Sequence, residues 1–252
     1  MDKLLAHAAD LVAGARQVVA LTGAGFSRPS GIPDFRSPDG IWALSDPAEV
    51  ASLRAFRRDP DGFYRWLGGL LGPILAAKPN PAHLALAELE QAGRLTGVIT
   101  QNIDGLHQAA GSRRVFELHG HVRSATCLEC GRQVPSGPLL PAVRRGRALR
   151  CSCGGAFKPD AVLFDEPLPQ GVFWLAQRAL EQCDLLLVAG TSLEVAPVCD
   201  LPLVAARRGA KIVVVNLAPT YLDAQADVVL RADVATAVPA LVRAAVDMPI
   251  AA

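Results

Sequence analysis

Residues 17–27 read QVVALTGAGFS, a short apolar, β-branched run stopped by Thr22-Gly23-Ala24-Gly25. An uncharged run of this length closed by glycines predicts a buried strand, a tight turn and then a helix. Glycines at a strand end let the backbone approach a phosphate, and the first N–H groups of a following helix are free to bind it. A strand-to-helix turn with no ligand produces the same pattern. The dinucleotide fingerprint G-x-G-x-x-G asks for a third glycine where Arg28 stands, and for an acid ending a second strand about 20 residues on. Neither is present, which argues against an ordinary hydride-transferring dehydrogenase.

On either side of this turn, apolar runs alternate with helical periodicity. Residues 4–15 and 82–92 carry helical spacing, the latter through Leu84, Leu86 and Leu89. Strands are predicted at 97–100, 161–164, 184–189 and 211–215, and helices at 171–182 and 234–246. Continuous apolar strands interleaved with helices indicate an α/β fold: a Rossmann-like parallel sheet with helices on both faces. Residues 37–81 hold isolated aromatics, glycines and prolines and read as a helical insertion. From 121 to 159 the composition shifts to Cys, Gly, Pro and Arg with little apolar periodicity, as expected of a lobe held by a metal rather than by a core. The expected division is a Rossmann-like domain of 1–36, 82–120 and 160–252. The helical insertion 37–81 and the lobe 121–159 would form a small domain.

The composition is that of a globular protein, with 51% hydrophobic and 19% charged residues among 252. Twenty-five Lys and Arg against 24 Asp and Glu give a net charge of +1, so no global field favours nucleic acid or an anionic membrane, and neither is expected as a partner. The start MDKLLAHAAD does not read as a secretory signal. The longest uncharged apolar run, Trp66 to Ala77, is broken by Gly68, Gly69, Gly72 and Pro73 and is too short to span a bilayer, so a cytoplasmic location is expected. Arg144-Arg145-Gly146-Arg147 reads as a solvated loop.

Four of the six cysteines are clustered, Cys127 and Cys130 as C-x-x-C and Cys151 and Cys153 as C-x-C. Four thiolates are the set that a closed, structural tetrahedral zinc uses. A pair of redox dithiols is the alternative. Cys183 and Cys199 lie in apolar surroundings and read as core.

The blocks GAGFSRPSGIPDFRS (23–37), TQNIDGLH (100–107), ELHGH (117–121), the paired cysteines, KPDAVLFDEPLP (158–169), GTSLEVAPV (190–198) and VNLAPT (215–220) follow in this order. Together they resemble the sirtuin family of NAD-dependent protein deacylases. The resemblance implies NAD at the carboxyl ends of the strands. Gly23, Ala24, Gly25, Ser27 and Arg28 would lie at the phosphates, with Asp34, Phe35 and Arg36 on a loop over the cofactor. Gln101 and Asn102 would sit by the nicotinamide ribose, Ile103 and Asp104 in the nicotinamide pocket. Gly190, Thr191, Ser192, Asn216 and Val234 match the family's phosphate, adenosine-ribose and adenine contacts. Val162, Leu163 and Phe164 match the strand that pairs with the acyl-lysine peptide or protein. His119, with Asn102, matches the catalytic pair, and a neutral imidazole is a suitable base for a ribose hydroxyl near pH 7.

The implied reaction is loss of nicotinamide, capture of the ribose carbon by the acyl oxygen, and release of free lysine and O-acyl-ADP-ribose. An ADP-ribosyltransferase using the same NAD site, or a non-catalytic NAD-sensing module, are the alternatives. Two departures stand out. Only Ser152 separates the second cysteine pair, and Asp165 stands where most relatives have glycine. Relatives that remove succinyl or malonyl carry Tyr-x-x-Arg in the insertion, whereas Leu67 follows Tyr64 by three, so acetyl or a longer apolar acyl group is favoured.

Overall fold

The computed structural model describes residues 2–34, 40 and 46–248. In chain order its elements are α1 (Asp2–Gly14), β1 (Val18–Thr22), α2 (Pro47–Val50), α3 (Leu53–Arg58), α4 (Pro60–Ala76), α5 (Pro81–Gln91), β2 (Leu95–Thr100), α6 (Leu106–Ala109), β3 (Val115–Glu117) and β4 (Gly120–Cys127). There follow β5 (Gln133–Pro135), α7 (Leu139–Arg144), β6 (Phe157–Ala161), α8 (Gln170–Gln182), β7 (Leu185–Ala189), α9 (Leu201–Arg207), β8 (Lys211–Val215), β9 (Val228–Leu230) and α10 (Val234–Val246).

Six strands form one parallel sheet in the order β3-β2-β1-β7-β8-β9. β1 and β7 are buried along their whole length, which is why they read as unbroken apolar runs. Alternate side chains serve the two faces. Val18, Ala20, Leu185 and Leu187 join Leu86 of α5 and Leu241 of α10, whereas Val19, Leu21, Leu186 and Val188 join Leu180 of α8 and Leu201 of α9. The caps are explicit in the sequence: Asn80 accepts from Ala82 N while His83 Nδ1 accepts from Asn80 N, and Asp233 accepts from Ala235 N. The chain reverses its direction of winding at β1, with β2 on one side and β7 on the other. The crevice between their carboxyl ends is the place where an open α/β sheet takes ligands. Among the described residues no helix is long and apolar enough to cross a membrane.

Among the departures of the structure from the sequence reading, the following bear on the site. The strand expected at 161–164 is β6, ending at Ala161, and it runs antiparallel to β4 in a separate sheet of order β5-β4-β6. Lys158, Pro159 and Asp160 hid it, and Pro159 is tolerated because β6 is an edge strand. The helix expected after the glycine turn is instead two single 3₁₀ turns, Ala24–Phe26 and Arg28–Ser30, the second ended by Gly31 at φ +85°. The lobe expected to lack a core has one: Val122, Ala125, Leu139, Val143 and Phe157 pack with Phe63, Tyr64, Leu67, Leu70 and Ile74 of α4. This core is assembled from two distant segments, so neither shows a strong period alone. The Tyr64 hydroxyl, fully buried, donates to Phe157 O at 2.8 Å and fastens the two together.

Candidate active site and metal centre

The loops leaving β1 and β7 are pressed backbone to backbone. A Cβ on Gly23 would meet Thr191 Cβ at 2.7 Å, one on Gly25 the Gly190 carbonyl oxygen at 2.9 Å, and one on Gly190, at φ +61°, Phe26 N at 2.3 Å. These glycines therefore join the two strand ends to each other. Thr191 Oγ1 accepts from Gln101 Nε2 at 2.9 Å and from Leu193 N, which ties the end of β2 into the same junction.

A chain of polar contacts crosses the crevice from there. Asn102, buried, donates through Nδ2 to Gly23 O and to Ser27 Oγ, both at 3.0 Å, and its N–H donates to Thr100 Oγ1. Ser27 Oγ in turn donates to Asp104 Oδ2 at 2.7 Å, while Asp104 Oδ1 accepts from Leu106 N. Burial raises the Asp104 carboxyl above its usual range, against the two hydrogen bonds that favour its charged form. His119 follows β3, its Nδ1 2.9 Å from the Gln101 carbonyl oxygen. A carbonyl only accepts, so the proton sits on Nδ1 and Nε2 carries the free lone pair. Burial lowers this imidazole below 6.5, with the Gln101 carbonyl opposing, so it stays a neutral base.

These residues share one cavity of about 320 Å³. Ala24, Ser27, Gln101, Asn102, Ile103, Asp104 and His119 line one part of it, and Val162, Leu163 and Phe164 another. Phe63, Trp66, Leu67, Leu70 and Ile74 of α4, with Val122 of β4, add an apolar wall. The helical spacing of the α4 residues is identical to that of core residues, so the pattern alone does not separate wall from packing. No lysine or arginine is among the described lining residues, and the carboxylates are Asp104, Asp165 and Glu166.

Other predicted cofactor residues stand at the carboxyl edge of the sheet outside this cavity. Gly190 and Thr191 follow β7, with Ser192 exposed beside them. Asn216, buried after β8, donates to Ala218 O, and Val234 is buried at the start of α10. Arg28 and Asp34 form an ion pair at 2.9 Å. Phe35 and Arg36 lie outside the described residues.

The segment after β6 is a built edge. Val162 N donates to His119 O, Phe164 N to Ala51 O, and Phe164 O accepts from Leu53 N. Glu166 N donates to Leu163 O, closing a four-residue turn whose third residue, Asp165, has φ +68°. That left-handed position suits glycine or asparagine, and aspartate tolerates it better than most. Lys158, 7% exposed, was not predicted as part of the site. Its Nζ donates to Pro159 O, to Ala161 O and to Glu166 Oε2 at 3.0 Å, and Glu166 Oε2 also accepts from Leu163 N at 2.7 Å.

At the far end of β4 the sulfurs of Cys127, Cys130, Cys151 and Cys153 all lie within 4.8 Å of one another, with Cys127–Cys153 at 3.5 Å and Cys130–Cys151 at 3.6 Å. A tetrahedral zinc with bonds of about 2.3 Å wants sulfurs about 3.8 Å apart, so the set fits. The C-x-C spacing is accommodated by a turn in which Gly154 adopts φ +92° and Cys151 N donates to Gly155 O. A Cβ on Gly155 would reach within 2.8 Å of Cys127 Sγ. The Cys153 N–H draws Cys151 down to about 6; Cys153 itself, though its Gly155 bond lowers it, is driven to about 12 by the neighbouring sulfurs. Four thiolates together therefore call for a cation. Of the other two cysteines Cys183 is buried as expected, but Cys199 is only half-buried.

Residues 23–197 match the family model described as the Sir2 family. The chain is 47% identical over 228 residues to NAD-dependent protein deacetylase 1 of Pyrobaculum aerophilum, covering 90% of this chain and 89% of that one. A solved structure from work on the mechanism and regulation of Sir2 enzymes superposes with a TM-score of 0.92 at 42% identity, covering 97% of this chain and 98% of that one. A Sir2 complex with a p53 peptide and NAD+ superposes with a TM-score of 0.84 at 40% identity, over 91% and 93%. By the extent of the family match, and by identity sustained over nine-tenths of its length, the chain belongs to the Sir2 family.

Proposed function

We propose that the protein is an NAD-dependent protein lysine deacylase, converting an acyl-lysine side chain to free lysine. The single observation that carries this reading is His119. It is a neutral imidazole with its proton committed to Gln101 O and its Nε2 available, in one cavity with Asn102, Asp104 and an apolar wall. Bound NAD would supply a ribose carbon that becomes electrophilic as nicotinamide leaves; with one water consumed from solvent, the acyl group ends on the ribose as O-acyl-ADP-ribose and the lysine amine is freed.

This chain's own residues supply the rest. Asp104, held by Ser27 and Leu106 N, is placed to take the nicotinamide carboxamide, with Ile103 beside it. Asn102 and Gln101 order the adjoining ribose, and His119 Nε2 accepts a ribose hydroxyl proton. The Gly23–Gly25 loop with Ser27 and Arg28, together with Gly190–Ser192, Asn216 and Val234, holds the phosphates, adenosine ribose and adenine. Asp34, paired with Arg28, leads into the segment that would cover the cofactor. Val162–Phe164 lies along the substrate peptide; because its N–H groups are held by His119 O, Glu166 Oε2 and Ala51 O, pairing with the substrate backbone falls to the Val162 carbonyl. Zinc on the four cysteines is structural, because four thiolates leave no open position. The 37–81 insertion and the 121–159 lobe act as the small domain against the Rossmann-like remainder. Thiolate ligands need a reducing compartment, which supports a cytoplasmic location.

The lining favours acetyl or longer apolar acyl groups. It offers an acidic acyl chain no described cation, and Tyr64 spends its hydroxyl on Phe157 O. The test is mass spectrometry of acetyl-, butyryl-, myristoyl- and succinyl-lysine peptides with and without NAD, following nicotinamide in parallel. NAD-dependent loss of an acyl group with matching nicotinamide is expected. Nicotinamide release with a mass gain on protein would replace this reading by ADP-ribosyl transfer, and NAD binding with no turnover would reduce the site to a sensor.

A further inference from the structure

We infer that Asp165 makes the substrate edge select peptides with an arginine or lysine within two positions of the acyl-lysine. The inference rests on the deacylase reading and goes beyond it by naming a feature of the substrate outside the acyl group.

The charges of the segment 158–166 can be assigned one by one. Lys158 and Glu166 are paired with each other at 3.0 Å, both largely buried. Asp160 accepts from the hydroxyls of Ser124 and Thr126 and from Gln133 Nε2. Asp165 is different. It is exposed at the cavity mouth, and among the described residues its carboxylate has neither a hydrogen-bond donor nor an ion-pair partner. No described lysine or arginine lines the cavity to offset it.

Its backbone is equally specific. Asp165 is the third residue of the Leu163–Glu166 turn, at φ +68°, where glycine would be without strain. The turn is fixed at both sides by Glu166, whose N–H bonds Leu163 O and whose carboxylate takes Leu163 N. The turn therefore sets where the Asp165 side chain leaves the backbone, beside the segment proposed to receive the substrate. From this turn at the cavity mouth the exposed carboxylate is open to a cation on a residue of the peptide that flanks the acyl-lysine. An exposed pair of this kind changes affinity by about two- to fivefold and weakens with salt.

The test uses the zinc-loaded protein and an acetyl-lysine peptide with neutral flanks, its versions with one arginine at each of the two positions before and after the acetyl-lysine, and the matching glutamate versions. Turnover is measured as kcat/KM, and binding of labelled peptides by anisotropy is read beside it. The wild type is expected to favour one or more arginine peptides over the neutral parent by about two- to fivefold, and to disfavour glutamate at the same place. Asp165→Asn keeps the left-handed turn and removes the charge. That ratio should fall to about one, as it should in Asp165→Gly and in the wild type at high salt. Equal kcat/KM across the panel, or a preference that survives Asp165→Asn, overturns the inference. Turnover absent from every peptide would remove the deacylase reading instead, and the binding ratios would still decide the role of Asp165.

Discussion

His107 Nε2 lies 2.9 Å from Thr22 Oγ1, and Thr22 Oγ1 donates to Thr100 Oγ1 at 2.9 Å. The threonine proton is thereby committed, so the imidazole must donate from Nε2, leaving Nδ1 as a bare, buried acceptor. Beside it stands His83, its ring centre 4.8 Å away, with Nδ1 accepting from Asn80 N and Nε2–H buried without a partner among the described residues. Thr100 Oγ1 is also the acceptor for Asn102 N. Two neutral imidazoles thus support the end of β2, where Asn102 begins.

Acid should destabilise the protein through this pair. Burial lowers His83 from 6.5 to about 4, and burial, with the neighbouring His83, lowers His107 well below 6.5. In that window the unfolded chain binds protons that the folded one refuses, so stability falls as pH drops from 6.5 towards 4. The loss from His83 alone is about 3 kcal/mol. Thermal melts of wild type and His83→Gln across this range check it: the variant should start lower and show a shallower decline.

His119→Ala should lose on the order of 10²- to 10⁴-fold in kcat. Its Tm should stay within a few degrees, because the side chain lies against the cavity rather than in the core. The lowered imidazole also sets the acid limb of the wild-type kcat/KM profile below pH 6.5. A limb centred above 6.5, or full turnover in His119→Ala, would remove the base from this residue.

Cys127→Ser should release zinc and lower the Tm, since a structural metal contributes folding free energy directly. The effect should reach the active site, because Val122 of the same strand lines the cavity and Phe157 beside it receives the Tyr64 hydrogen bond. Metal content, Tm and turnover should fall together. Cys183→Ala, outside the cluster, should keep its zinc.

Lys158→Met leaves Glu166 charged and poorly solvated, and should cost about 3 kcal/mol of stability. Lys158→Met combined with Glu166→Gln should recover part of that loss. Denaturant unfolding of the two single variants and the double variant measures the coupling, and a double variant as unstable as the sum of the singles would show that the pair is not coupled.

Much of this was legible from residue types. β1, β7 and residues 212–215 of β8 are apolar runs because both of their faces are covered, and α10 begins and ends at the residues that its periodicity marks. The four cysteines announce their cluster by spacing. Other features depend on what distant segments do to each other. Lys158-Pro159-Asp160 does not look like a strand, yet β6 forms there because β4 supplies the pairing and Ser124 and Thr126 satisfy Asp160. Trp66 and Leu70 look like packing and are both packing and cavity wall. Asp165 could be noticed as a departure from glycine, but only the turn shows that its backbone has kept the glycine conformation.

The contact between the Gly23–Gly25 loop and Gly190 leaves no room for so much as a methyl group at any of the three positions without moving backbone. The two strand ends are therefore a single mechanical part, and a change in one is a change in the other. Redesign for another cofactor or substrate has little freedom at this junction. The adjustable surfaces are those where side chains rather than backbone meet the cavity: the inner face of α4 and the turn at Asp165.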